Sequence, residues 1–167
     1  MHDRSIRLAR SDEAKVITTL VRGSISELCF DDHQGDDTRI GGWLANKTED
    51  EIAAWIVAPD LSIFVIECRT GLVATESHRD DAVILMNYVS PFYRFQGLHD
   101  QILAHLESSL AALGITTARL VSTRTNIGFY KKLGWHAYGD PILCMGVTGK
   151  PMMKDIARHV KQADAAN

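Results

Sequence analysis

Cysteine is scarce in this sequence and follows no pattern. The 167 residues include three cysteines, Cys29, Cys68 and Cys144. An odd and widely scattered set gives neither a disulfide framework nor the C-x-x-C spacing of a metal pair. We therefore expect three buried free thiols in a protein of the reducing cytoplasm. The seven histidines also lack the spacing of metal ligands, so no metal site is predicted.

Charge of one sign and long apolar runs are also missing. The formal net charge of -3 and the pI of about 6.1 give no basic footprint for a nucleic acid. No apolar run approaches the roughly 20 residues needed to cross a bilayer, and residues 1–5 lack a signal-peptide pattern. The whole sequence is 46% hydrophobic and 23% charged, which is the composition of an ordinary globular domain. We predict one domain that binds neither nucleic acid nor a membrane.

The first third of the sequence is mainly helical in pattern. A short strand at residues 6–8 precedes an N-cap at Ser11 and a helix that we expect to end near Gly23. Residues 24–37 are predicted to be irregular, with an aspartate-rich segment at residues 31–37. A second helical region covers residues 40–44. Thr48 and Glu51 then match a capping box that opens a further short helix.

The remainder alternates between strands and helices. Residues 61–67, 72–75 and 82–89 predict an antiparallel meander. The helix after Gly97 carries one apolar face, formed by Ile102, Leu103, Leu106, Leu110 and Leu113. The strand at residues 118–122 follows a helical crossover and should lie parallel to the strand before it. A helix at residues 125–133 and a hairpin at residues 135–138 and 142–147 complete a domain of residues 1–150. For the tail, residues 151–167, a docked helix through Ile156 and Val160 and an irregular chain both fit.

The segment from the third strand of the meander into the next helix carries the chemistry. The strand ends in Val89-Ser90-Pro91, and the loop that follows reads Phe92-Tyr93-Arg94-Phe95-Gln96-Gly97-Leu98-His99. A glycine-bearing loop that enters a helix presents unpaired backbone N–H groups and the positive end of the helix dipole. Such a loop is suited to binding an anion.

Together with a second motif, Phe129-Tyr130-Lys131-Lys132-Leu133-Gly134-Trp135, this segment resembles the GNAT superfamily of acetyl-CoA-dependent N-acetyltransferases. The close resemblance covers about residues 82–138. It implies an α/β (α+β) fold with a mixed, mostly antiparallel twisted sheet flanked by helices. It also implies a parallel strand pair at an acyl-CoA cleft. Acetyl-CoA is the implied co-substrate, and a homodimer is the default expectation because relatives are often dimers.

The resemblance also implies roles for single residues. The cofactor-binding set is Tyr88, Val89, Arg94, Phe95, Gln96, Gly97, Leu98, His99 and Asn126. Tyr130 matches the tyrosine that gives a proton to the departing thiolate, whereas its neighbour Phe129 is better placed to pack on the sheet. For Asn126, a helix-capping role fits about as well as a cofactor contact.

Two positions depart from the family pattern. His99 stands where the family has a small residue that lets the backbone approach a pyrophosphate closely. Asp100 suits the helix dipole but would repel a bound phosphate.

Asn87 interrupts the apolar strand, and a place facing the cleft fits it as well as a bulge or an exposed face.

The general base is not identified by the sequence. Candidates are Glu76, His78, Asp81 and His33, but for each a solvated turn residue is the commoner case. The aspartates at residues 31–37 could attract a cationic amine, although helix capping is the more ordinary explanation.

Two functions follow from these patterns. The first is N-acetylation of a primary amine, of a small molecule, by direct attack on acetyl-CoA in a ternary complex. The second is a non-catalytic module of the same fold that binds an acyl-CoA or serves a regulatory role. His99 and Asp100 favour the module, and Tyr130 favours the enzyme, because a binding module has no need of the phenol.

Overall fold

Eight strands and six helices alternate along residues 4–157, the part of the chain that the computed structural model describes. The strands are β1 Ser5–Leu8, β2 Leu61–Cys68, β3 Gly71–Arg79, β4 Ile84–Val89, β5 Thr117–Thr123, β6 His136–Ala137, β7 Ile142–Cys144 and β8 Val147–Asp155. The helices are α1 Ala14–Leu28, α2 Phe30–His33, α3 Asp37–Leu44, α4 Glu49–Ile56, α5 Leu98–Ala112 and α6 Ile127–Lys132. Short 3₁₀ turns precede α1 and α5, at Ser11–Glu13 and Pro91–Tyr93.

The sheet has two halves. In the first half β1, β2, β3 and β4 lie side by side and antiparallel. In the second half β8 is central and pairs antiparallel with β5, β6 and β7. The halves meet where β5 begins beside the start of β4, through a parallel bridge between Val83 and Arg119. The predicted mixed, mostly antiparallel sheet with one parallel pair is therefore confirmed.

Helices cover both faces of the sheet. The α1 face buries Ile17, Val21 and Ile25 against Ile63 and Val65. On the other face α5 buries Ile102, Leu103, Leu106 and Leu110, four of the five predicted positions. Leu113 is exposed because α5 ends at Ala112, one residue before it.

A buried polar contact ties α5 to the second half of the sheet. The Glu107 carboxylate accepts from Lys154 Nζ at 2.6 Å and from Trp135 Nε1 at 3.0 Å. Glu107 thus links α5, β8 and Trp135 in the segment that follows α6. This contact holds the second motif against the helix that begins at the glycine-bearing loop.

The first helix is longer than its sequence predicts. It continues through Gly23 to Leu28, and residues 30–33 form α2, where an irregular segment was expected. An interior glycine costs roughly 1 kcal/mol in a helix. The burial of Ser24 and Ile25 beyond Gly23 offsets that cost. Further along, the predicted cap is confirmed, since Thr48 Oγ1 accepts from the Glu51 backbone N–H.

The predicted C-terminal hairpin is wrong. β6 and β7 do not pair with each other within residues 4–157, because each pairs with β8 instead. β8 also runs through residue 150 to Asp155, and Ile156 is buried. Gly149 and Pro151 conceal this strand in the sequence, because both residue types are uncommon inside strands. The predicted helical partner of Ile156, Val160, lies outside the described residues.

The cysteine prediction holds for one residue of three. Cys29 is buried, whereas Cys68 and Cys144 are half-buried, and all three are free thiols. Across residues 4–157, no helix combines the length and the apolar character needed to cross a membrane.

Candidate active site

A cleft opens where β4 and β5 part. Beyond Val83 and Arg119, the described residues contain no further bridge between these strands, and β5 continues in partnership with β8. The end of β4 therefore has a free edge toward β5. A cavity of about 550 Å³ lies there, lined by β4, β5, the start of α5, α6, the end of α1 and the β7–β8 turn.

The loop before α5 closes one end of the cleft. Gly97 has φ +70° and its position is open, since an added Cβ would meet nothing within 4 Å. Gln101 N–H makes the first helical hydrogen bond, to Gly97 O. The N–H groups of Leu98, His99 and Asp100 precede it and have no helical acceptor. This end of the cleft can therefore accept an anion.

His99 leaves the approach to this helix end open. Its ring packs against Phe129 with the centroids 5.6 Å apart, away from the loop glycine. Burial lowers the pKa of the imidazole, although nearby Asp100 opposes the effect. The ring is therefore neutral at pH 7. It adds no positive charge for an anion, and Asp100 still brings an exposed carboxylate to the cleft wall.

Nine of the ten predicted site residues lie on the cleft wall: Tyr88, Val89, Arg94, Phe95, Gly97, Leu98, His99, Asn126 and Tyr130. Gln96 does not. Its side-chain oxygen accepts from Arg4 Nη2 at 2.6 Å, and its backbone carbonyl accepts from Arg4 Nη1 at 3.4 Å. Asn126 is both the residue before α6 and part of the wall.

Tyr130 points from α6 into the cleft between the two halves of the sheet. Its ring is buried, in edge contact with Phe129 and Trp135. Burial raises the pKa of the phenol to about 12, an effect that the hydrogen bond from Asn87 opposes. The hydroxyl is therefore protonated at neutral pH. The sequence predicted that Phe129 is better placed than Tyr130 to pack on the sheet, and this is only partly right. Tyr130 is itself buried in the core, whereas Phe129 is half-buried.

Asn87 faces the cleft and contacts Tyr130. Its Nδ2 donates to the Tyr130 hydroxyl at 3.3 Å. Its Oδ1 is buried and has no hydrogen-bond partner within residues 4–157. The sequence left open whether Asn87 faces the cleft, lies at a bulge or is exposed, and the structure shows that it faces the cleft.

The α1 side of the cleft combines apolar side chains with the hydroxyl of Ser24 and one carboxylate. Leu28, Trp43 and Met145 lie on this wall, and Trp43 Nε1 donates to the Tyr88 hydroxyl at 3.1 Å. Glu27 lies on the same wall, is exposed, and makes no ion pair or hydrogen bond among the described residues. Sequence reasoning missed Glu27, because α1 was expected to end before it.

Three of the four general-base candidates are buried, contrary to expectation, and two of these three lie in β3. Glu76 and His78 lie in β3, at 0% and 3% exposure, with Glu76 Oε2 3.5 Å from His78 Nδ1. Neither residue lines the cleft. Burial raises the pKa of Glu76 to about 7, while His78 opposes that rise. Charged residue types rarely lie inside a sheet, which is why the sequence suggested a turn.

The other two candidates have structural roles. His33 is also buried rather than solvated; its Nδ1 accepts from Gly35 N–H and its Nε2 lies 3.2 Å from Ile25 O. Asp81 is exposed and pairs with Arg79 at 2.7 Å, as expected of a turn residue.

The aspartate-rich segment caps other elements. Asp36 accepts from Arg39 N–H at the start of α3. Asp32 accepts from the backbone and side chain of Thr125, just before α6. The helix-capping explanation is therefore confirmed for Asp36, whereas Asp32 fixes the loop that carries Asn126.

The sequence matches a sequence model described as an acetyltransferase (GNAT) domain over residues 39–156, well over half of the chain. No curated protein matches the sequence. Among solved structures, a GCN5-related N-acetyltransferase from Rhodopseudomonas palustris is similar with a TM-score of 0.81 and 20% identity, over 93% of this chain and 98% of that one.

Two further similar structures were solved with a ligand. The PaiA N-acetyltransferase from Thermoplasma acidophilum, in complex with coenzyme A, has a TM-score of 0.77 and 17% identity, over 92% of this chain and 99% of that one. YncA of Salmonella typhimurium, a putative acetyltransferase with its cofactor acetyl-CoA, has a TM-score of 0.68 and 16% identity, over 92% and 94%. At these identities the likeness shows a shared fold.

The buried Glu76 predicts a pH-dependent stability. A carboxyl whose pKa is raised on folding stabilises the protein below its unfolded pKa, near 4.5, and that stability is lost as the pH rises to about 7. Glu76→Gln should remove this loss. The difference in free energy of unfolding between Glu76→Gln and the wild type should therefore shift by about 2–3 kcal/mol in favour of the variant from pH 5 to pH 8. Urea unfolding at both pH values measures the difference.

Ser77→Ala is the matched control for this experiment. Ser77 is the next residue in β3, is equally buried, and has an unpartnered hydroxyl that does not titrate near neutral pH. Its replacement should shift stability by the same amount at both pH values. If Glu76→Gln behaves like Ser77→Ala, the carboxyl does not carry the raised pKa.

Proposed function

This chain belongs to the GNAT acetyltransferase family, and from that premise we propose that it acetylates a primary amine of a small molecule with acetyl-CoA. The amine attacks the thioester directly in a ternary complex. The observation that carries the proposal is the protonated Tyr130 hydroxyl on the wall of the cleft between β4 and β5. The three free thiols favour a reducing compartment such as the cytoplasm.

The glycine-bearing loop is the proposed phosphate site. The N–H groups at the start of α5 would donate to the pyrophosphate of the co-substrate, with Arg94 adding charge from an exposed position. Gly97 supports this assignment because it leaves open space beside the helix end. The free edge of β4 at Tyr88 and Val89 would pair with the amides of the pantetheine arm, as a neighbouring strand does.

Tyr130 is the proposed general acid. Acetyl-CoA supplies the activated acetyl group, and breaking its thioester leaves a thiolate that needs a proton. The burial that keeps the Tyr130 phenol protonated also disfavours an unpaired thiolate beside it. Proton transfer from the phenol moves this negative charge from the sulfur to the Tyr130 oxygen, where the Asn87 N–H stabilises the phenolate.

The α1 wall indicates the kind of amine. Its one unpaired carboxylate, Glu27, stands among apolar side chains that include Leu28, Trp43 and Met145. A carboxylate here would attract a cationic amine, and the apolar surface would bury the rest of the molecule. These features support a small amine with an apolar body. A direct-attack mechanism needs the amine to lose its proton before it reacts.

Replacing Tyr130 tests the catalytic proposal. Tyr130→Phe should lower kcat by roughly 10²–10⁴-fold, the usual contribution of a general acid, while the Kd for acetyl-CoA stays within about twofold. Thiol release with a panel of primary amines measures kcat, and calorimetric titration measures Kd. Tyr138→Phe, which removes an exposed hydroxyl, is the control and should change neither value.

The outcomes of that experiment separate the two functions. Undiminished turnover in Tyr130→Phe would refute the assigned role. Tight acetyl-CoA binding by the wild type without turnover of any amine would favour the non-catalytic binding module.

Replacing Glu27 tests the acceptor proposal. Glu27→Gln keeps the shape of the side chain and removes its charge, so the KM of the best cationic amine should rise about tenfold or more, with kcat little changed. Steady-state kinetics at saturating acetyl-CoA measures both constants. Glu49→Gln, at an exposed carboxylate on α4, is the control. An equal KM in wild type and Glu27→Gln would place the amine elsewhere in the cleft.

A further inference from the structure

A buried polar group lies behind the cleft, on the α5 face of the sheet. Glu76 and His78 of β3 are both fully buried. The carboxylate oxygens of Glu76 have no hydrogen-bond partner within residues 4–157, and the nearest titratable atom is His78 Nδ1 at 3.5 Å. A buried carboxyl without partners costs several kcal/mol if it is ionised. Its place in the sheet therefore calls for an explanation beyond packing.

Asn87 connects this group to the cleft. Glu76 and Asn87 are direct partners in the β3–β4 ladder, so both side chains lie on the same face with their Cβ atoms about 5 Å apart. Asn87 Nδ2 already donates to the Tyr130 hydroxyl. Asn87 Oδ1, the other end of the amide, is buried and unpartnered. The Asn87 amide therefore contacts the phenol through one end, while its other end is unused and lies on the sheet face that also carries the Glu76 carboxyl.

The proton on Glu76 decides which end of the amide it can bind. A protonated carboxyl has an O–H that can donate to Asn87 Oδ1, which leaves Nδ2 toward Tyr130. An ionised carboxylate only accepts, so it would draw the Nδ2 end to itself and leave Oδ1 facing the phenol. A carboxyl with a pKa of about 7 changes between these forms near neutral pH.

We propose that Glu76 is a positioning residue for Tyr130, and that its proton sets through Asn87 whether the phenol meets an amide N–H or an amide oxygen. The inference rests on the proposed role of Tyr130 as the general acid. With the N–H toward it, the phenol proton is free to leave and the phenolate is stabilised. With the oxygen toward it, the phenol donates to Asn87 and its proton is held back from the thiolate.

Other residues with ionisable side chains surround Glu76. His78 lies on the same strand, and His105 approaches from α5, where its ring stands 4.7 Å from Phe64. Phe64 of β2 in turn stacks on His78, with the centroids 6.0 Å apart. Tyr130 faces Asn87 from α6. Burial, with a further contribution from His78, lowers the pKa of His105. A test must therefore separate the carboxyl from the two imidazoles.

The direct test follows the side-chain amide of Asn87 by ¹H–¹⁵N NMR between pH 5.5 and 8.5, with its signals assigned by their loss in Asn87→Ser. In the wild type the amide signals should shift with a midpoint near pH 7. In Glu76→Gln, whose amide can always donate, they should not titrate. Ser77→Ala should behave as the wild type does. A shift that persists in Glu76→Gln would come from the histidines and overturn the proposal.

A second measurement covers the case in which Glu76→Gln fails to fold. In the wild type the ¹³C signal of the Glu76 carboxyl and the Asn87 amide signals should titrate with one common midpoint. Different midpoints would refute the coupling.

Kinetics then show whether the coupling acts on turnover. Above pH 7 the ratio of kcat in Glu76→Gln to kcat in the wild type should rise, by up to about tenfold per pH unit. A purely structural Glu76 would give a constant ratio. The NMR result needs no turnover, so a failure of the proposed activity and a failure of this inference are distinguishable. Active enzyme with an amide that does not titrate refutes only the inference.

Discussion

The divergence of β4 from β5 is the constraint on which the rest of this structure depends. Two parallel strands that begin together at Val83 and Arg119 and then separate leave a free backbone edge in the middle of a sheet. Such an edge is costly unless it is covered or binds something. Here α5 begins beside the end of β4, and α6 places Tyr130 in the gap. The separation of β4 from β5 therefore positions three proposed features: the phosphate site at the start of α5, the β4 edge that would pair with the pantetheine arm, and Tyr130 as the general acid.

The two faces of the sheet make different contributions to this cleft. The α1 face brings Glu27 and an apolar wall that includes Trp43, which suits recognition of an acceptor. The α5 face brings the helix N-terminus, Tyr130 and the buried group behind Asn87. The proposed proton donor, Tyr130, is thus buried on the α5 face.

Sequence patterns predicted the parts of this fold in which local and tertiary preferences agree. The apolar run of β4, the single apolar face of α5 and the glycine-bearing loop between them were all recognisable. Patterns were misleading where tertiary contacts outweigh local signals. Gly23 suggests a helix end, yet packing carries α1 onward to Leu28, and that extension creates the wall with Glu27. Glu76 suggests a surface turn because nothing local indicates that β3 is covered on both faces.

The most direct test of the account is calorimetric titration of acetyl-CoA into three forms of the protein: wild type, Gly97→Ala and Gly114→Ala. Both glycines have positive φ and open surroundings, Gly97 before α5 and Gly114 after it. Both replacements should therefore cost similar stability, roughly 1–2 kcal/mol. The account predicts saturable one-to-one binding that Gly97→Ala weakens about tenfold or more and Gly114→Ala leaves unchanged. No binding by folded wild type, or equal affinities in all three, would contradict a phosphate site at the start of α5.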